Sequence, residues 1–227
     1  MESDGWAYLV RSASTLNRSS GPLVDRSIWI DFGQNPDDAK FTANGINCAY
    51  FDGRWIAAKA DSIGYLKSVK TSSVGLYLCD YHQWPNTGPT DPHGWADWAY
   101  DIVQHKAAPG TGGDWPRVDL NYEQDDPQWL LAMLRRWRSH SPHRTTAFVV
   151  QANKASIYAP VAQSIAALNV IVKPECFVGN MQRVESSHEI QSWAAAGIPR
   201  SLLEPMLDAS QLGAFWSGTC FTLGRLP

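Results

Sequence analysis

The chain has 227 residues, of which 44% are apolar and 18% charged, with a formal net charge of −3. That composition belongs to a globular protein, and the length suffices to bury a core without metal or disulfide staples. The slightly acidic balance, with no run of Lys and Arg, argues against nucleic acid or an anionic membrane surface as a partner.

The N-terminal MESDGWAYLV has no basic stretch followed by a long apolar one, so no signal peptide is expected. No window has the apolar length of a membrane span. The expectation is cytoplasmic synthesis, with association with a virion left open. Cys48, Cys79, Cys176 and Cys220 are widely dispersed without a CxxC pair, which predicts buried free thiols and no zinc site. Tryptophan is the outlier at 11 residues, expected mostly in the core with a few lining a site.

Strand-like apolar runs alternate with helix-like segments along the chain, the pattern of βα units on a parallel sheet. Residues 1–26 read as an N-terminal extension. Ser27–Phe32 reads as the first strand and Arg54–Ala60 as the second, with a hairpin through Asp52-Gly53 as an option and a helix over Ser62–Thr71. Val74–Tyr81 is the third strand, and Trp95–Lys106 the next helix. Val118–Glu123 is the fourth strand, followed by a helix that Asp126 caps and Pro127 opens. Thr145–Gln151 is the fifth strand, Pro160–Leu168 a short helix and Val170–Lys173 the sixth strand. Ser186–Ala196 is a helix stopped by Gly197 and Pro199. Ser201–Glu204 and Thr219–Leu223 complete a series of eight strands. Residues 27–227 are therefore expected to form a single (β/α)8 TIM-type barrel, irregular at its last strand. An open doubly wound sheet is the alternative, but no glycine-rich phosphate fingerprint follows the first strand.

Acidic and polar residues recur where these strands end, which is where such folds build their sites. Asp31 closes strand one, Asp80 and His82 strand three, and Glu123 strand four. Glu175 follows strand six, and Glu204 closes strand seven. On strand four, Asp119, Asn121 and Glu123 alternate with Val118, Leu120 and Tyr122, so polar and apolar sets occupy opposite faces. Two readings follow. One is a salt-bridged plug completed by Lys59 or Lys173. The other is a ligand site, in which Glu123 acts as the general acid of a glycosidase and Asp31, Glu175 or Glu204 as the second carboxylate. Tyr81, Trp84, Asp80, His82, Asn121 and Glu175 would line the substrate. Asp80 and His82 could bind a metal with Asp31, but a hydrogen-bonded structural histidine is the better reading, and neither metal nor cofactor is expected.

Several of these segments, in order, resemble family 25 glycoside hydrolases, the muramidase-type lysozymes. Asp31 to Gln34 resembles the opening of that family, and Trp55 to Lys59 its second strand with a terminal lysine. Gly75 to His82 resembles its third strand, and Asn121-Tyr122-Glu123 falls where the family carries Asp-x-Glu. The resemblance covers about Ser27 to Tyr158 and implies a barrel acting on a polysaccharide, bacterial cell-wall glycan foremost. It also implies the setting of a bacteriophage particle, with other subunits of an assembly as partners. The chain departs from the pattern at Asn121: with Glu123 matched to the acid, an amide stands at the neighbouring carboxylate position, and with Asp119 matched instead, the amide takes the acid position. The alternative is therefore a catalytically inactive barrel, a structural or sugar- or receptor-binding module such as a phage tail carries.

Overall fold

The computed structural model describes residues 27–30, 48–52, 73–79, 88–106, 115, 117–176, 188–208 and 220–222, with side chains described for 78, 88–105, 115, 117–176 and 188–206. The strands are β1 (Ser27–Ile30), β2 (Cys48–Asp52), β3 (Ser73–Cys79), β4 (Arg117–Asn121), β5 (Thr145–Gln151), β6 (Ile171–Glu175), β7 (Met206–Asp208) and β8 (Cys220–Thr222). The helices are α1 (Pro92–Asp101), α2 (Pro127–His140), α3 (Ala155–Ala167) and α4 (His188–Ala195). The proposed extension over residues 1–26, the strand at Arg54–Ala60 and the helix at Ser62–Thr71 lie outside the described residues.

The (β/α)8 TIM-type barrel expected from the sequence is corrected by this arrangement. Where side chains are described, the unit is a small sheet of three parallel strands with four helices, which does not form a closed eight-strand barrel. In that unit β4 pairs parallel with β5, and β5 with β6. Backbone pairings continue outward in sequence order, but β8 runs antiparallel to both β7 and β1. Eight parallel strands define the expected barrel. Apolar runs mark where strands lie but carry no information on their direction, which is why the sequence pattern misled on this point.

The apolar face of β4–β6 is covered by the helices. Val118, Leu120, Tyr122, Phe148, Val150 and Val172 join one core with Leu130, Leu134, Trp137, Tyr158, Ile165 and Trp193. Leu130, Leu134 and Trp137 recur at helical spacing, so one stripe of α2 meets the sheet. Each such large side chain, once buried, contributes about 1.5–3 kcal/mol relative to exposure. Two indole tips in this layer find partners: Trp137 Nε1 donates to Thr146 Oγ1 at 2.9 Å, and Trp193 Nε1 to the Ala152 carbonyl at 2.9 Å.

Helix ends follow local chemistry. The Asp126 carboxylate accepts from the Gln128 and Trp129 amides at 3.1 and 2.9 Å, with Pro127 in the first turn where its missing N–H costs nothing. Asp91 caps α1 by accepting from Gly94 N at 2.7 Å. The turn after α4 uses Gly197 at φ +109°, a left-handed conformation that a Cβ would strain. Several boundaries differ from expectation: β4 ends at Asn121 and not Glu123, β6 runs on through Pro174 to Glu175, and two others follow. Helix α3 begins at Ala155, so Pro160 lies inside it; the buried positions Ala155 and Tyr158 continue through Val161, Ala162 and Ile165, and their packing outweighs the lost backbone bond. The strand expected at Ser201–Glu204 is instead a 3-10 turn, Arg200–Leu202, then one bridge from Leu203 to Val172. Pro205 has no N–H to extend that ladder, and β7 starts only at Met206.

Candidate functional site

Strand register places the site. Asn121 pairs with Val149 and Val149 with Lys173, while Gln151 pairs with Glu175. Side chains of paired residues share a sheet face, so Asn121, Lys173, Gln151 and Glu175 lie opposite the helices. Asp119 lies two residues before Asn121, on the same face. Strand four therefore divides as its alternation predicts: Leu120 and Tyr122 pack toward the helices and Asp119 and Asn121 away from them.

The floor of this face is an ion-paired cluster. Lys173 Nζ lies 2.8 Å from Asp119 Oδ2 and 3.3 Å from Glu204 Oε1, and the three side chains are only 1%, 1% and 3% exposed. Charges buried this deeply persist only when paired. Glu204 reaches the cluster because its amide donates to the Val172 carbonyl at 3.0 Å, which lays residues 203–206 along the edge of β6. Lys173 thus completes the plug that the sequence offered as an alternative, and Glu204, expected as a catalytic carboxylate, belongs to it.

Toward the C-terminal ends of the strands the face becomes accessible. Glu123 is half-buried, and its Oε1 accepts from Asn121 Nδ2 at 3.3 Å. Glu175, the last residue of β6, is also half-buried. Burial, and next the negative charge of Glu123, push its carboxyl up from 4.5 to about 7. Electrostatics therefore couple the ends of β4 and β6 across β5, and Glu175 holds a proton near neutral pH. The adjacent Cys176 is a free, buried thiol, raised to about 12 by burial, then by Glu189 and Glu175, so it is not a nucleophile.

Of the residues singled out from the sequence, Glu123, Asn121 and Glu175 come together at this end of the sheet, and Glu204 sits in the floor. Asp31, Asp80, Tyr81, His82 and Trp84 lie outside the described residues. Sequence reasoning missed Gln151, Lys154 and Tyr158. Gln151 ends β5 beside Glu175, and Lys154 follows it within three residues, so polar residues closing strand five were the available signal. Tyr158 looked like an ordinary helix-core residue. Among the described residues no group of His, Cys, Asp or Glu could hold a metal ion, and no helix is long and apolar enough to cross a membrane. Compared with models of known protein families and with curated proteins, the chain matches none. The functional reading therefore rests on the chemistry of the site itself.

Proposed function

We propose that the polar face of β4–β6 is a carbohydrate site that cleaves a glycosidic bond, with Glu175 as proton donor and Glu123 as the partner carboxylate. The observation that carries this reading is the pair itself. Two carboxyl groups stand at the C-terminal ends of parallel strands on one face, close enough that the charge of one helps keep the other protonated. Glycoside hydrolysis needs that division of labour: a protonated carboxyl for the departing oxygen and an ionised one acting on carbon or water. The sequence pattern alone gives the acid role to Glu123. Burial and neighbouring charge favour Glu175 for it, while the Asn121 amide, hydrogen-bonded to Glu123, orients the partner. The motif resemblance to muramidase-type lysozymes supports a polysaccharide, bacterial cell-wall glycan foremost, as the substrate.

A second reading has its own support. Asn121 replaces the neighbouring carboxylate of the resembled family, and Glu204 is engaged in the buried ion pairing with Lys173. Both favour a module that binds the glycan without cutting it, as a particle subunit would. Incubating wall glycan with the parent protein and with Glu175→Gln separates the two. Release of reducing ends by the parent, lost in the variant, supports the enzyme. Binding by both with no release by either supports the binding module, and neither binding nor release would sink both.

A further inference from the structure

The segment that carries Glu123 away from β4 has no regular structure of its own, yet its backbone is held at three of four successive carbonyls by side chains. Tyr122 Oη donates to the Asp126 carbonyl at 3.3 Å. Lys154 Nζ donates to the Glu123 carbonyl at 3.3 Å and also pairs with the Asp125 carboxylate. Tyr158 Oη donates to the Gln124 carbonyl. Two of these donors come from one neighbouring stretch, the 3-10 turn Ala152–Lys154 and the first turn of α3, which continue directly from β5.

Both donors are themselves fixed. Tyr158 is fully buried, its ring packed against Phe148 and Trp193 at centroid distances of 5.2 and 5.9 Å. The Lys154 side chain is only 15% exposed. A carbonyl bonded to a rigid, buried donor cannot rotate without breaking that bond, so the peptide planes after Glu123 are pinned from the core side. Ordinary helix packing would not require either bond: the first turn of α2 is already capped by Asp126.

We infer that Lys154 and Tyr158 are positioning residues, which clamp loop 123–126 and thereby fix the Glu123 carboxylate opposite Glu175. This rests on the carbohydrate-site reading for its consequence in catalysis, but the clamp itself can be tested without any substrate. Neither residue touches the reacting atoms; both act through the backbone on which Glu123 is mounted. A misplacement of about 1 Å in a catalytic group can cost up to about 10²-fold in rate.

The deciding variant is Tyr158→Phe, which removes one hydroxyl and changes no charge. Amide order parameters for residues 123–125 should fall from the rigid range of about 0.85 toward about 0.6. The Glu175 carboxyl, followed by ¹³C NMR, should titrate at lower pH as Glu123 swings away. On wall glycan, kcat should drop by about 10- to 100-fold with KM little changed. Lys154→Met should loosen the same amides, and Lys154→Arg, which keeps a charged donor, should restore them. Unchanged order parameters and an unchanged Glu175 titration in Tyr158→Phe would overturn the clamp whatever the activity. So would a Lys154→Arg variant as loose as Lys154→Met. If the parent hydrolyses nothing while the amides loosen and the titration moves, the clamp stands and the hydrolase reading falls.

Discussion

Lys173 on β6 reaches over β5 to place its ammonium 2.8 Å from the Asp119 carboxylate on β4, with both side chains 1% exposed. Glu204 approaches the same ammonium at 3.3 Å. Removing the cation leaves two buried carboxylates facing one another. Lys173→Met should therefore cost about 3–5 kcal/mol, a fall of about 10 °C in melting temperature for a chain of this size. Adding Asp119→Asn and Glu204→Gln to that variant should recover much of the loss, because the two buried like charges then disappear. Thermal unfolding of the single and triple variants checks this, and a parent-like melting point for Lys173→Met would refute the buried plug.

Glu175 links stability to pH. Its carboxyl is raised in the fold from 4.5 to about 7, mainly by burial and then by Glu123, so the folded chain holds a proton there that the unfolded chain releases. Its stabilising contribution is complete below about pH 4.5 and is lost as pH rises through about 7. The full shift corresponds to about 3 kcal/mol, and partial exposure to solvent reduces the expected loss to about 1–2 kcal/mol. Glu175→Gln cannot ionise. It should match the parent near pH 5 and exceed it at pH 8, a divergence that paired melts at the two pH values would reveal.

Much of the β4–β6 unit was legible in the sequence, because its strands and helices carry strong periodic patterns. Asp126-Pro127 ahead of the α2 helix, the alternation of Asp119, Leu120 and Asn121, and Gly197 at the end of α4 are local signals whose chemistry decides the outcome by itself. The strand at Thr145–Gln151 has the bounds that its β-branched and aromatic run predicts. What was not legible depends on distant partners. No local pattern tells that β8 runs antiparallel to β1, or that Lys173 pairs with both Asp119 and Glu204. Pro160 and Pro174 misplaced two boundaries for one reason: a proline was read as an end where tertiary packing carries the element past it. In the site, Glu123, Asn121 and Glu175 were visible as polar residues ending strands, but their division of roles was not. That division comes from burial and from which charge lies nearby, both properties of the folded chain.

The α1–α2 seam offers a contrast between an exposed and a buried arginine. Asp97 is held down to about 2 by Arg136 first and His140 next, at 2.7 Å from each. The Arg136 and Asp97 side chains are 42% and 47% exposed, so the pair is well screened by solvent. Arg136→Ala should cost little stability, and less at high salt. Arg144 is 3% exposed and donates to the Trp115 carbonyl at 3.1 Å, to Ser141 Oγ at 2.7 Å and to Gln104 Oε1 at 2.7 Å, with its guanidinium 5.8 Å from the Tyr100 ring centre. Arg144→Met strands several buried acceptors and should cost about 3 kcal/mol or more. Urea unfolding of the two variants in low and high salt tests the ranking; equal losses would contradict it.

The assignment of the proton donor makes a prediction about the pH dependence of glycan cleavage. Glu175 must be protonated to serve the leaving oxygen, and its carboxyl titrates near 7, so the rate should decline above that pH, about tenfold per unit. Glu175→Gln keeps the shape of the side chain but has no proton to give. Turnover should fall by about 10²- to 10⁴-fold, and the residual rate should lose its alkaline limb. Glu123→Gln tests the coupling from the other side. It removes a negative charge that raises Glu175, so the Glu175 carboxyl in that variant should titrate at lower pH by ¹³C NMR, whether or not any hydrolysis survives. If the alkaline limb persists unchanged in Glu175→Gln, another group is the donor. If the Glu175 titration does not move in Glu123→Gln, the two carboxyls do not act as a pair, and the face of β4–β6 loses the feature that distinguishes a hydrolytic site from a binding surface.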